Sequence, residues 1–237
     1  MFLDDLSMTL HRSLPRYEEA LAYLRSREVT DEDIVKYRLG YSRVISVPDD
    51  GSEDRRRFMN ETQKGHRMEG RITFPLLDGM GRTIGLGGRT IHEKGYKTFL
   101  TEEAKEVGFF FGFYQAMPHI YKDNRAYVVE GYFDVIALAK VLPNTVATVT
   151  SGINDPQYDQ LRMYCDVIVA CFDSDAPGEA GKQRILNRHD LATDVVQRHP
   201  IRFMSLGYKD PAKCLETLKL AAFRKFVLAK AQAVAPF

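Results

Sequence analysis

Two short apolar stretches that end in acidic residues decide the fold of this chain. They are residues 128–134, Val-Val-Glu-Gly-Tyr-Phe-Asp, and residues 167–175, Val-Ile-Val-Ala-Cys-Phe-Asp-Ser-Asp. Each pattern predicts a buried β-strand that leaves carboxylates at its carboxyl end. A buried strand gains nothing from an acid at its tip, whereas a magnesium site at the carboxyl edge of a parallel sheet needs several converging acids. The two stretches therefore predict a metal site that handles phosphates.

The sequence between these stretches predicts that their strands are parallel. Residues 132–142 favour a helix, residues 145–149 a second buried strand, and residues 156–164 a second helix. The order is strand, helix, strand, helix, strand, and right-handed crossovers make such strands parallel. Glu130 and Asp173 then lie at the same end of one sheet, within reach of a shared cation if their strands are neighbours.

The rest of the chain predicts a mixed α/β first domain and a short C-terminal helix. Residues 1–45 favour helices, and residues 48–70 a long loop or hairpin connection because they are polar, charged and poor in periodicity. Two strands joined by a short turn follow at 74–77 and 82–86. We expect three parts: an α/β domain over 1–121, a parallel-rich sheet domain flanked by helices over 122–208, and a C-terminal helical segment over 209–237.

Composition narrows the class of protein. With 237 residues, 44% of them hydrophobic and 27% charged, the chain is expected to be globular throughout. No apolar stretch is long enough to span a bilayer and the start lacks a basic secretory signal, so a bacterial or host cytoplasmic location is expected. The net charge of +1 argues against indiscriminate nucleic-acid binding driven by charge alone.

The cysteines predict neither disulfides nor zinc. Cys165, Cys171 and Cys214 have no Cys-x-x-Cys spacing and no matching histidine pair. We expect no zinc ion in this chain.

The acidic stretches carry a resemblance to a known family. Glu130-Gly131 with Asp134, the Asp173-x-Asp175 pair and residues 176–178, Ala-Pro-Gly, resemble the Toprim domain. Upstream, residues 71–76 and the glycine-rich run 81–89 are similar to the segment that precedes Toprim in bacterial-type, DnaG-like primases. Further matches in the family's order lie at residues 23–27, 39–41, 96–99 and 111–114.

The resemblance implies a set of site residues. It implies catalysis by Glu130, Asp173 and Asp175, with magnesium as the cofactor and manganese as a substitute. The implied metal-binding set adds Asp134 and Asp210, and the implied nucleotide or DNA contacts are Arg71, Arg82, Arg89 and Lys97. Two of the acids have a structural alternative, because Asp134 could be an ordinary acid near a helix N-terminus and Asp210 could cap the last helix.

The chain departs from the family's pattern at several positions. Where the family has Asp-Pro-Asp, residues 210–212 are Asp-Pro-Ala, so one outer metal-binding acid is missing. Leu100 replaces the asparagine that follows the Lys97 motif, and residues 150–152 are Thr-Ser-Gly rather than a loop that begins with glycine. The family's lysine before the Phe-Gly-Phe-Tyr segment has only Lys105 nearby.

The implied activity is that of a nucleotidyltransferase, a DNA-dependent RNA primase core that makes short primers from NTPs on a single-stranded DNA template. The expected partners are a replicative helicase and a zinc-binding domain supplied by another chain, and no membrane. A compact core of this kind fits a phage or mobile-element replication system. Two alternatives stay open: a Toprim nuclease that hydrolyses phosphodiesters, and a non-catalytic nucleic-acid-binding replication adaptor.

Overall fold

The computed structural model of the protein describes residues 2–46, 50–63, 65–92, 95–149, 152–176, 178, 180–181, 183 and 201–234. The chain divides into two compact units, Met1–Glu106 and Val107–Phe237. This division lies upstream of the predicted boundary at residue 122. The helix Phe113–Asp123 belongs with the second unit because its Phe113, Ala116 and Ile120 are part of that unit's core.

The first unit begins with helices, as the sequence predicts. They are α1 (Phe2–Ser13), α2 (Glu18–Ser26) and α3 (Asp31–Lys36). The start of α3 follows from its sequence, because the Thr30 side chain accepts a hydrogen bond from the Asp33 N–H and the Asp33 carboxylate accepts one from the Thr30 N–H.

A four-stranded antiparallel sheet forms the centre of this unit. Its strands, in spatial order, are β1 (Gly40–Ser42), β2 (Arg71–Leu77), β3 (Thr83–Thr90) and β4 (Tyr96–Leu100). The predicted pair of strands is present and longer than expected. Leu86 of β3 and Phe99 of β4 join α1 side chains in a buried apolar cluster, whereas β4 is an edge strand that begins exposed.

The prediction of a loop or hairpin over residues 48–70 is wrong. Within it lies helix α4, Glu53–Glu61. Ser52 caps it by accepting a hydrogen bond from the Arg55 N–H, and Glu53 and Asp54 place acids in the first turn. Only Phe58 of this helix is buried, so the sequence has almost no apolar periodicity to reveal it.

The second unit is built on a parallel sheet with helices between its strands. Helix α5 (Glu102–Val107) lies almost entirely in the first unit. After α6 (Phe113–Asp123), the second unit alternates β5 (Arg125–Val129), α7 (Tyr132–Leu138), β6 (Thr145–Ala147), α8 (Asp155–Arg162) and β7 (Val167–Ala170). The strand β8 (Ile201–Phe203) completes a sheet of order β6-β5-β7-β8, in which every pairing is parallel. The predicted α/β fold class is confirmed.

The C-terminal helix, Pro211–Val234, packs against α7 and belongs to the second unit. It is interrupted at Lys219, whose backbone adopts φ 59° and ψ 162°, so it consists of two helical pieces. Among the helices that the structure describes, none is long and apolar enough to cross a membrane.

Candidate metal centre

The two acidic stretches meet at one edge of the parallel sheet. Glu130 directly follows β5, and Asp173 follows β7 after two residues. Because β5 and β7 are hydrogen-bonded parallel neighbours, their carboxyl ends lie side by side. The Cys171 N–H continues the ladder by donating to the Val128 carbonyl at 2.8 Å. The condition under which Glu130 and Asp173 could share a cation, that their strands are neighbours, is therefore met.

A second loop is tied to the turn between Asp173 and Asp175. The Ser174 N–H donates to the Lys209 carbonyl at 2.8 Å, and the Ser174 hydroxyl donates to the Tyr208 carbonyl at 2.9 Å. These bonds hold the segment that leads into Asp210 against the acidic turn. Asp210 thereby joins the edge of the sheet from a distant part of the sequence.

Asp210 also caps the C-terminal helix. Its Oδ1 accepts a hydrogen bond from the Lys213 N–H at 2.6 Å. The ammonium of Lys209 lies 3.8 Å from the Asp210 Oδ2 and 3.9 Å from the Asp175 Oδ2, between the two carboxylates. The capping alternative for Asp210 is thus present in the structure, and it leaves Oδ2 beside Asp175.

Asp134 is buried in the first turn of α7. Its Oδ1 accepts a hydrogen bond from the Ala212 N–H at 3.1 Å, at the start of the C-terminal helix. A carboxylate at a helix N-terminus satisfies a backbone donor and interacts favourably with the helix dipole. Asp134 therefore joins two helices in addition to facing the acidic edge.

The electrostatics of Asp173 reveal that all five predicted acids converge. Burial, followed by the nearby charges of Asp134, Glu130, Asp210 and Asp175, raises the pKa of Asp173 to about 8. Like charges that crowd one another favour the protonated acid. The set of carboxylates predicted from the sequence is therefore the set that surrounds Asp173.

The donor set fits a hard divalent cation. The Asp173 Oδ1 is buried and has no hydrogen-bond partner among the described residues, whereas the Asp175 side chain is 39% exposed. Buried carboxylate oxygens normally have partners, and Mg²⁺ prefers oxygen ligands with room for several waters. Within the described residues, however, no group of three or more acids, histidines or cysteines is already arranged to hold a metal ion.

Two glycines lie close to these acids, and the approach of Gly178 to Asp173 requires glycine. A Cβ on Gly178 would lie 2.1 Å from the Asp173 carbonyl oxygen, and the Gly178 N–H donates to the Asp175 Oδ1 at 3.2 Å. A Cβ on Gly181 would lie 3.5 Å from the Glu130 Oε1. The chain after Asp175 thus folds back onto the acidic edge.

The predicted basic residues lie in the first unit and occupy two faces of its sheet. Arg71 pairs with Thr90 and Lys97 with Gly88, which places Arg71 and Lys97 on one face, whereas Arg89 pairs with Ile72 and lies on the other. A Cβ on Gly88 would meet the Arg71 Cδ at 3.1 Å.

These basic side chains differ in their existing contacts. Arg71 donates to the carbonyls of Arg67 and Gly95, at 2.7 and 3.1 Å. The Arg82 Nε donates to the Asp78 Oδ2 at 2.7 Å, and the Arg82 guanidinium lies 3.6 Å from Glu103. Lys97 is exposed and has no ion pair in the described part of the chain.

Comparisons with known proteins agree with this architecture. The family model of the DNA primase catalytic core, N-terminal domain, matches residues 9–107, and the Toprim-like model matches residues 127–215. The two matches follow one another in the order expected and together account for most of the chain. The chain contains a DnaG-like primase catalytic core.

Relatives of this core include bacterial primases. A DNA primase of Synechococcus elongatus is 31% identical over 240 residues, which cover 90% of this chain and 34% of that protein. The E. coli primase catalytic core superposes with a TM-score of 0.79 at 24% identity, covering 96% of this chain and 79% of that chain. A DnaG primase catalytic domain bound to single-stranded DNA gives 0.76 at 23% identity, with the same coverages.

The identities and coverages define what these comparisons show. At 23 and 24% identity, the solved structures show a shared fold. The chain spans about a third of the length of the Synechococcus primase. The phage or mobile-element origin stays a prediction.

The structure of this primase core also adds a residue that sequence reasoning missed. The Lys209 ammonium lies between the carboxylates of Asp175 and Asp210. Lys209 is three residues before Ala212, which replaces the second acid of the family's Asp-Pro-Asp pattern. Only its place beside the Asp-Pro pair could have drawn attention to it. The cation offsets part of the charge of two acids.

The cysteines of the core are poor metal ligands. All three are buried and reduced. Burial raises the pKa of Cys165 to about 12 and the pKa of Cys214 to about 11, so both thiols stay protonated at neutral pH. Metal ligation needs the thiolate.

Proposed function

We propose that this chain is the catalytic core of a DNA-dependent RNA primase, which joins ribonucleotides into short primers on single-stranded DNA. The observation that carries the proposal is the convergence of four further acids on the partly buried Asp173, whose pKa is raised to about 8. An acidic cluster that is costly to ionise without a cation is the expected design of a divalent-metal site.

The chemistry is nucleotidyl transfer. The 3′-hydroxyl of the growing primer attacks the α-phosphate of an incoming nucleoside triphosphate, and pyrophosphate leaves. A bound divalent ion, magnesium or manganese, would offset negative charge on the attacking and leaving oxygens. Glu130, Asp173 and Asp175 would hold it, supported by Asp134 and Asp210.

Glu130 is also placed to act on a proton. It follows β5 directly, beside Asp173 at the end of β7. A carboxylate in this position could accept the proton of the attacking hydroxyl, as general bases in transfer reactions do. Asp134 and Asp210, whose oxygens already accept backbone N–H groups, would serve mainly to position the others.

The template and nucleotides would be bound by basic groups of the first unit. A DnaG catalytic domain has been solved with single-stranded DNA, and we extend that ligand class to this chain. Lys97 is exposed and would contact a phosphate as a point charge, whereas Arg71, Arg82 and Arg89 would act within their present contacts. A replicative helicase, a zinc-binding domain in another chain and a cytoplasmic location are part of the proposal.

The nuclease alternative shares the acids but not the rest of the chain. The match to the primase catalytic core over residues 9–107 favours synthesis over hydrolysis. The adaptor alternative is disfavoured because an inactive scaffold would have no need to keep Glu130, Asp173 and Asp175 together.

One assay tests the proposal. The protein is incubated with single-stranded DNA, Mg²⁺ or Mn²⁺ and labelled NTPs, with Glu130→Gln as the matched variant. We expect short templated oligomers from the wild type and none from the variant, while DNA binding persists. Cleavage of the DNA without synthesis would favour the nuclease, and normal synthesis by Glu130→Gln would show that Glu130 is not part of the catalytic site.

A further inference from the structure

One cross-strand row of the antiparallel sheet ends at an exposed aromatic ring. Tyr41, Ile72, Arg89 and Tyr96 are paired in register across β1, β2, β3 and β4, and therefore share one face. Tyr41 and Ile72 are 1% and 0% exposed, whereas Tyr96 on the edge strand is 50% exposed. The row thus runs from the core to the surface.

The exposed end of this row is held in place. The Arg89 guanidinium lies 4.8 Å from the centre of the Tyr96 ring, within the range of a cation–π contact. The Arg89 Nε donates to the Tyr23 hydroxyl of α2 at 3.3 Å. The Arg89 guanidinium therefore contacts both the Tyr23 hydroxyl and the Tyr96 ring, and it restrains the ring on this edge strand.

A restrained, half-exposed aromatic ring is suited to stacking. A nucleobase that stacks on a fixed ring loses less entropy than one that must first order a mobile side chain. Aromatic and arginine planes are the usual partners of unpaired bases, and cations nearby attract the backbone. The Arg89 guanidinium beside the ring is such a cation, whereas Lys97, the next residue along β4, lies on the opposite face of the sheet.

We propose that Tyr96, braced by Arg89, is a stacking platform for a nucleobase of the single-stranded template. The inference rests on the proposed function, because a primase needs such a template. It assigns to Arg89 the positioning of Tyr96 in addition to the phosphate contact expected from the sequence. The same base chemistry could come from a free nucleotide, so the experiment includes both sources.

The chain contains no tryptophan, which allows a direct test. Tyr96→Trp introduces a single tryptophan whose emission is quenched when a base stacks on it. We expect quenching on titration with oligo(dT), and none with an abasic oligonucleotide of the same length and charge. Tyr121→Trp, at a tyrosine that is 78% exposed on α6, is the control and should not respond.

Binding measurements complete the test. Tyr96→Leu should weaken oligo(dT) binding by about 5- to 150-fold, the range for loss of one stacked base, while Tyr96→Phe should bind as the wild type does. Abasic oligonucleotide should bind equally to all three. Equal binding of oligo(dT) by Tyr96→Leu, or equal quenching at positions 96 and 121, would overturn the proposal.

Three further outcomes distinguish failure of the platform from failure of the proposed function. Quenching by free NTPs but not by oligo(dT) would overturn the template as the source of the base. If Tyr96→Leu keeps both primer synthesis and template affinity, the result would support the proposed primase and overturn the stacking platform. Quenching by oligo(dT) without any synthesis would support the platform and count against the primase.

Discussion

Asp173 lies in surroundings that disfavour its ionised form. Burial and four neighbouring acids raise its pKa to about 8. A carboxyl group whose pKa is higher in the folded than in the unfolded state destabilises the fold as the pH rises from about 4 towards that value. Without a divalent ion, the acidic edge is therefore under strain at neutral and alkaline pH.

Asp173→Asn should abolish primer synthesis yet raise thermal stability in the absence of divalent ions. The amide removes a charge that repels its neighbours, and we expect a melting temperature higher by roughly 2–4 °C at pH 8. The gain should shrink at pH 5, where the wild-type carboxyl group is protonated. Differential scanning fluorimetry in EDTA measures both values.

The control for this substitution is Asp123→Asn. Asp123 is exposed at the end of α6, so neither synthesis nor stability should change. If Asp173→Asn melts below the wild type in EDTA at pH 8, repulsion among the acids is not the dominant effect at this position.

Two substitutions of Asp134 distinguish its role in folding from its role in metal binding. Asp134→Ala leaves the Ala212 N–H without its buried acceptor, which costs about 1–3 kcal/mol of folding free energy. Asp134→Asn keeps an acceptor oxygen and should fold nearly as well. Urea unfolding measures the difference.

Both Asp134 variants should also respond less to Mg²⁺ than the wild type does. Both remove a carboxylate, so both should reduce the stabilisation that added Mg²⁺ gives the wild type. A full response to Mg²⁺ by Asp134→Asn would mean that Asp134 acts only as the helix cap.

At the scale of elements, the segment after β7 must pass close to Asp173. Gly178→Ala would place a methyl group 2.1 Å from the Asp173 carbonyl oxygen, and backbone atoms cannot move aside cheaply. We expect primer synthesis to fall by about 100-fold, because displacement of a catalytic group by about 1 Å has effects of this size. Steady-state synthesis rates measure it.

Gly95→Ala is the matched control for glycine replacement. Among the described residues, its Cβ would meet the Thr90 Cγ2 alone, at the ordinary distance of 3.7 Å. We expect unchanged thermal stability. Normal synthesis by Gly178→Ala would show that the segment can shift without disturbing the acids.

The elements that sequence reasoning predicted are those with a strong local signal. The β5 and β7 stretches are continuous apolar runs that end in acids, and their order with two helices allows few arrangements. Helix α4 was missed because it buries Phe58 alone, and the signal at Ser52 is a cap without an apolar stripe. The strand β8, Ile201–Phe203, was not predicted because its three residues are only partly buried and its central residue is Arg202, so it has no continuous apolar run.

The acidic site was predictable for a related reason. Glu130, Asp173 and Asp175 follow strands that are recognisable in the sequence. The position of Lys209 between Asp175 and Asp210 was not, because it depends on hydrogen bonds from Ser174 to a loop more than thirty residues away. Local patterns predict which acids end strands, and tertiary contacts decide what lies beside them.

At the scale of the whole molecule, charge is nearly balanced. The net charge is +1, so the overall field does little to attract nucleic acid and binding must depend on local cations. Several guanidinium groups already have protein partners, among them Arg82 with Asp78 and Arg57 with Glu102. The isolated chain should therefore bind single-stranded DNA weakly, with an affinity that falls as salt rises.

The salt dependence should identify which cations contact phosphates. In fluorescence anisotropy with oligo(dT), the logarithm of the binding constant falls with the logarithm of salt by about 0.7 for each phosphate contact on a single strand. Lys97→Gln should reduce this slope by about 0.7, because the exposed ammonium has no ion pair with any residue that the structure describes. Arg82→Gln should reduce the slope by less, since Asp78 and Glu103 already offset part of the charge of that guanidinium. An equal loss of slope in both variants would show that DNA displaces the Asp78 contact and that ion pairs within the protein do not decide which residues bind the template.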